Sequence, residues 1–138
     1  MKDEGQREIQ ITEGRIVEPA REELRQTGAE VEFRGIVRGT EGGREIAGLE
    51  YEAHGEMARR QLERIVVQLQ KSWRCQKVWV IHRVGWVPVG ETSLYVRVHA
   101  PHREEAFRFC MELIDLLKKD VPIWKARGGG GSGADERA

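Results

Sequence analysis

Three lysines, Lys118, Lys119 and Lys125, fall within eight residues of one another in a chain of 138 residues that holds only 6 lysines against 17 arginines. An ammonium can lose its proton when its surroundings disfavour the charge, whereas a guanidinium cannot. A lysine cluster in an arginine-rich chain therefore points to proton transfer at a site where arginine will not serve. Lys118 and Lys119 equally suit the last turn of a helix, where the dipole favours cations. His102 and Arg103 stand at the opposite end of the same predicted helix. Free N–H groups make such an end an anion site. A cation there works against the dipole by roughly 0.3–1 kcal/mol, to be offset by a bound anion or by Glu104 and Glu105. Arg38 follows Gly35-Ile36-Val37 and precedes the Gly39–Gly43 loop. An arginine beside a flexible loop can clamp a phosphate or carboxylate through two donors, or simply be an exposed arginine.

Other chemistries are excluded by residue type and spacing. The glycine loop lacks the Gly-Lys-Ser/Thr of a phosphate-binding P-loop. His54, His82 and His99 have no metal-ligand spacing, and His82 and His99 fall in strands as structural residues. Cys75 and Cys110 are too few and too far apart for a disulfide scaffold or a cysteine-rich zinc site. No serine or cysteine arrangement suggests a nucleophile. The 23 basic and 23 acidic residues cancel, against the basic excess expected of a nucleic-acid binder. No apolar run approaches the length of a membrane span. The polar, acidic start Met1–Glu8 does not read as a signal peptide. A soluble protein of a reducing cytoplasm is expected.

The elements that must position these residues follow from periodicity. Residues 7–17 alternate weakly and predict a strand bent at Gly14. Glu18-Pro19 predicts a short helix through Arg25, stopped at Gly28. Val31, Phe33, Gly35 and Val37 share a face at period two, and so do Ala47, Leu49, Tyr51 and Ala53. These two strands are expected to form a hairpin. From Gly55 the apolar residues recur at three and four through Trp73, which predicts an amphipathic helix. Val78–Val84 is the most apolar strand, Trp86–Gly90 a turn, and Leu94–His99 a further strand. A second helix from Pro101 to about Lys119 carries Ala106, Phe107, Cys110, Leu113, Ile114 and Leu117 on one face. Pro122 disfavours its continuation. Trp124 reads as an apolar anchor beyond it. The glycine run from Gly128 predicts a flexible tail over 128–138, after a single domain over 1–127. The fold class is α+β, with a mixed or antiparallel sheet and two main amphipathic helices.

Taken in order, these stretches resemble the large, catalytic subunit of molybdopterin synthase, the MoaE family, over Gly28–Lys125. The resemblance is carried by Phe33-Arg34-Gly35-Ile36-Val37-Arg38 and by Leu49-Glu50-Tyr51-Glu52 with Met57-Ala58. It continues through Ile81-His82-Arg83-Val84-Gly85 and Val89-Gly90-Glu91, then Ala100-Pro101-His102-Arg103-Glu104-Glu105-Ala106-Phe107. It ends on Leu117-Lys118-Lys119-Asp120-Val121-Pro122-Ile123-Trp124-Lys125. The resemblance implies an α/β hammerhead type of fold and a sulfurtransferase. A small ubiquitin-like partner, thiocarboxylated at its C-terminal Gly-Gly, delivers sulfur to cyclic pyranopterin monophosphate, giving molybdopterin for molybdenum cofactor biosynthesis. No metal and no redox cofactor is implied for this step. Lys118 and Lys125 match the catalytic lysines, with Lys118 read as the acid/base and Lys125 as the binder of substrate and intermediate. Arg38, His102 and Arg103 match the anion-binding residues. Lys119 is a bystander.

The resemblance breaks after Lys125. Relatives carry an acidic residue soon after the Trp-Lys pair and then a tryptophan-containing segment with another pocket arginine. Here Ala126-Arg127 runs directly into glycines. The alternative reading is accordingly a catalytically weak family member that serves as a binding module for the small subunit. His102 and Lys118 lie 16 residues apart on one helix, about 24 Å along its axis. One pocket cannot easily take both from one chain, so a homodimer with composite sites is expected, within a heterotetramer that includes the small subunit.

Overall fold

The computed structural model describes residues 5–128 and 136–137. Its elements run β1 (Gln6–Glu13), β2 (Ala29–Ile36), β3 (Thr40–Glu41), β4 (Arg44–Glu45), β5 (Gly48–Ala53) and α1 (Gly55–Ser72). Then come β6 (Lys77–Pro88), β7 (Thr92–Ala100), α2 (Arg103–Asp120), β8 (Ile123–Gly128) and β9 (Glu136–Arg137). Seven strands form one sheet along the path β2-β7-β6-β5-β8-β9, with β1 joined to β6. β1 runs parallel to β6, and the other pairings are antiparallel. This is the expected α+β class with a mixed sheet and two helices. The stretch read as a flexible tail falls, over 129–135 and at 138, outside the described residues.

Alternation along β6 and β7 sorts side chains onto two faces. Val78, Val80, Val96 and Val98 join the helix-side core, which also takes Leu62, Val66 and Leu69 of α1 and Ala106, Phe109, Leu113 and Leu117 of α2. The intervening residues Lys77, Trp79, Ile81, Tyr95, Arg97 and His99 are also buried. Their cover is the segment between β1 and β2. Arg97 donates to the carbonyls of Pro19 and Ala20 at 2.8 and 3.1 Å. Lys77 Nζ lies 2.8 Å from Glu22 and 2.7 Å from Glu8.

Three expectations need correction. The predicted helix at 18–25 is absent, and the segment has no regular secondary structure before a turn at 25–26. Its carbonyls at Pro19 and Ala20 and the carboxylates of Glu18 and Glu22 are engaged by Arg97, Arg34 and Lys77, and such tertiary contacts override a weak local propensity. The two strands flanking the glycine loop do not pair with each other. β2 pairs with β7, and β5 pairs with β6 and β8. The loop instead makes its own small hairpin, β3-β4. On α2 it is Phe109 that is buried, while Phe107 is 60% exposed. Smaller shifts affect the ends of elements. β1 stops at Glu13, before the bend at Gly14, where φ is +81°. β6 extends through the expected turn to Pro88, past Gly85 at φ +86°.

Candidate active site

The antiparallel run of β2, β7 and α2 gives the molecule two ends. β2 pairs Ala29 with Ala100 and Ile36 with Thr92. α2 starts directly after β7 and returns along it, packed on β7 and β2. His102 and Arg103 therefore lie at one end, near Gly28, and Lys118 lies at the other, the end at which β2 runs out toward Arg38. Helix rise separates His102 from Lys118 by about 24 Å.

At the first end, His102 caps α2. Its backbone N–H donates to Glu105 Oε1 at 3.1 Å, and its Nδ1 lies 3.1 Å from the same oxygen. The imidazole and the Arg103 side chain are exposed. The helix that Gly28 is expected to stop is absent, and the glycine meets a different requirement. A Cβ there would collide with the carbonyl oxygen of Pro101, where its own N–H donates to Ala100 O at 2.9 Å. Glycine lets β2 start against the turn that launches α2.

At the second end, α2 stops at Asp120. Val121 caps it by donating its N–H to Leu117 O at 3.1 Å, and Pro122 prevents a further turn. Lys118 sits exposed in this last turn. The chain then enters β8, where Lys125 pairs with Tyr51 of β5. Lys125 Nζ reaches Glu41 Oε2 at 2.7 Å, with both side chains about a quarter exposed. Glu41 belongs to the β3-β4 hairpin, whose base is Arg38-Gly39. Arg38 itself is exposed. Its neighbour Val37 is buried, donating to Glu91 O at 3.1 Å and accepting from Gly90 N–H at 2.9 Å. Glu91 is in turn fixed by Arg83 at 2.7 Å, and that hydrogen bond holds its carboxyl below the usual range.

The structure thus gathers Lys118, Lys125 and the base of the Arg38 hairpin at one end and leaves His102 and Arg103 at the other. Two further residues at the lysine end carry no sequence signal for a part in it. Glu41 is a lone acid in a glycine-rich loop, with no signal that it meets a lysine 84 residues away. His54 donates its N–H to Pro122 O at 3.3 Å and packs its ring 5.0 Å from that of Trp124, which ties the start of α1 to the turn between the two lysines. The expected packing role of Trp124 is seen there. His82 and His99 are buried in strands, as expected of structural histidines. Burial pushes the His82 imidazole down to about 4, with Nδ1 2.8 Å from Arg83 O. Among the described residues there is no cluster able to hold a metal ion and no helix long and apolar enough to cross a membrane.

Comparison with known proteins bears on this arrangement. The family model for MoaE protein matches residues 7–120. The molybdopterin synthase catalytic subunit of Oryza sativa subsp. indica is 42% identical over 98 residues, covering 71% of this chain and 51% of the relative. The chain thus spans about half the length of the curated plant relatives it matches. Molybdopterin synthase from Staphylococcus aureus superposes with a TM-score of 0.77 at 27% identity, covering 100% of this chain and 98% of the other. A protein–protein complex of subunits 1 and 2 of molybdopterin-converting factor from Helicobacter pylori shares the fold. Its TM-score is 0.64 at 23% identity, with 82% and 73% of the two chains covered.

Proposed function

We propose, from the premise that the chain belongs to the MoaE protein family, that it is the catalytic subunit of a molybdopterin synthase. In this reading it takes sulfur from the C-terminal thiocarboxylate of a small ubiquitin-like subunit and adds it to cyclic pyranopterin monophosphate. The observation that carries the reading is the turn between α2 and β8. It holds Lys118 and Lys125 on either side of Pro122, beside the hairpin that Arg38 begins. Both reactants are anions, through a phosphate and a thiocarboxylate, so clustered cations match them. Lys118 is free of any carboxylate partner among the described residues and serves as the acid/base. Lys125, already engaged with a carboxylate, serves as the binder.

His102 and Arg103 enter from a second copy. The outward face of α2 carries exposed Phe107 and Met111, one turn apart, between Arg103 and Lys118. An antiparallel α2 pair across a twofold axis would cover both and bring Arg103 of one chain to Lys118 of the other. Such isologous contacts are the commonest oligomer geometry.

The test is to incubate the purified chain with the thiocarboxylated small subunit and the pyranopterin precursor. Molybdopterin is expected, and Lys118→Arg should abolish its formation, because guanidinium cannot give up a proton at working pH. Small-subunit binding without product would favour the binding-module reading, to which Ala126-Arg127 after the Trp-Lys pair lends weight.

A further inference from the structure

We propose that Glu41 is a displaceable internal carboxylate that holds Lys125, and with it the β3-β4 hairpin, until an anionic ligand takes its place. The inference rests on the reading above in one respect, that Lys125 binds an anion. The Glu41–Lys125 contact is short, at 2.7 Å, and only partly buried. An ion pair of that exposure is weak enough to exchange.

The hairpin that carries Glu41 stands outside the main sheet. It forms a two-stranded sheet of its own, paired only at Thr40–Glu45 and Glu41–Arg44. Ile46 N–H closes its base on Gly39 O at 2.9 Å. Its tip, Gly42 and Gly43, has φ of +58° and +79°, and nothing lies within 4 Å of where a Cβ would stand on either residue. Glu41 is thus its charged attachment to β8. Arg38, at the hinge, and Lys118, across the turn, have no carboxylate partner among the described residues. Of Arg38, Lys118 and Lys125, only Lys125 has a carboxylate partner among the described residues, and that partner sits on a hairpin outside the main sheet. A carboxylate or phosphate arriving at this end meets two open cations and one that Glu41 must release. Glu41 acts through Lys125 and is a positioning residue.

The test uses inorganic pyrophosphate as the anion and the full chain at low salt. Calorimetry compares the wild type with Glu41→Gln, Lys125→Ala and the double variant, with Glu45→Gln as control. Glu45 sits on the same hairpin and carries the same charge without touching Lys125. Glu41→Gln should bind pyrophosphate roughly two- to fivefold more tightly, the range expected for losing one partly exposed ion pair. Glu45→Gln should bind as the wild type does, and Glu41→Gln should give no gain once Lys125 is alanine. In the synthase assay Glu41→Gln should lower KM for the precursor without raising kcat. Unchanged or weaker binding by Glu41→Gln would overturn the proposal. So would an equal gain in the Lys125→Ala background, or no pyrophosphate binding by any variant. Coupled binding in a chain that makes no molybdopterin would leave Glu41 standing and remove the synthase reading. Synthase activity without that coupling would do the reverse.

Discussion

The two faces of the main sheet are both buried, yet different forces hold them. On the helix side, β6 and β7 present Val78, Val80, Val96 and Val98 to the apolar stripes of α1 and α2. On the other side, the same strands present Lys77, Trp79, Arg97 and His99. There Lys77 Nζ and the Arg97 guanidinium lie 4.7 and 5.0 Å from the centroid of the Trp79 ring. Tyr95 donates its hydroxyl to Glu32 and accepts from Arg97 Nε at 2.8 Å. The first face is closed by helices that bring their own periodic apolar residues. The second is closed by an irregular segment whose carbonyls and carboxylates satisfy buried cations. Apolar burial is non-directional and survives local repacking. A buried ionic layer depends on every partner being present.

The largest expected effect separates two phenylalanines two residues apart on α2. Phe109 is fully buried against the helix-side core and Phe107 is mostly exposed. Phe109→Ala should cost toward the upper end of roughly 3–5 kcal/mol, through lost transfer energy and the cavity left behind. Phe107→Ala should change the stability of the isolated chain by less than about 0.5 kcal/mol. Urea unfolding of both variants checks the pair. In the proposed dimer, Phe107→Ala should instead shift the concentration at which the chain associates. Equal destabilisation by the two would erase the distinction between core and outward face.

On the opposite face the informative change is Arg97→Met, which keeps much of the apolar bulk and removes the guanidinium. Glu32, Tyr95 and the carbonyls of Pro19 and Ala20 would each lose a partner. Breaking a buried charge arrangement by removing one member costs roughly 3–5 kcal/mol, and the partial exposure of Glu32 puts this case at the lower end. The segment over the sheet should also become sensitive to limited proteolysis between Gly14 and Gly28, while the helix-side core stays protected. Cleavage spread evenly over the chain would show that the two faces do not open independently.

This contrast also explains what was legible in the sequence. Strands β6 and β7 and both helices announce themselves because apolar residues recur at two or at three and four. The helix expected at 18–25 rested on Pro19 as a start and Gly28 as a stop. Those local cues were overruled by Arg97, which lies more than 70 residues away in sequence. Periodicity alone puts Phe107 on the buried face and leaves Phe109 off it. Two phenylalanines so close together compete for one stripe, and only packing against the strands decides between them. Adjacency predicts a β2-β5 hairpin, but the glycine loop between them supplies its own hairpin instead. At the lysine end, Lys118, Lys125 and Arg38 were legible through residue type and family resemblance. Glu41 was not, because an ion pair spanning a loop and a distant strand leaves no periodic trace.

A histidine on each face allows the comparison to be read by pH. His82 lies on the helix side, with its ring 5.5 Å from that of Tyr51 and no carboxylate partner among the described residues. Burial pushes it down to about 4, outweighing the hydrogen bond with the Arg83 carbonyl, which works the other way. His99 lies on the other side, with Nε2 2.9 Å from Glu30 Oε1. Burial lowers it too, but Glu30 works in the opposite direction. In the unfolded chain both titrate near 6.5. Between that value and about 4 the unfolded state binds more protons than the folded state, so stability rises with pH across this window. The His82 contribution is fully present above about 6.5 and is lost as pH falls toward 4, by up to about 3 kcal/mol. The lowered carboxyls of Glu18 and Glu91 lose their contribution only below about 4.5, the ordinary glutamate range. The interval from 6.5 to 4.5 therefore belongs to the histidines. Urea unfolding across it should show a steep slope in the wild type. His82→Gln should be less stable at pH 7 yet lose most of that slope, and His99→Gln should lose only a small part of it. A slope unaffected by His82→Gln would mean that the helix-side face admits a charged imidazole at little cost.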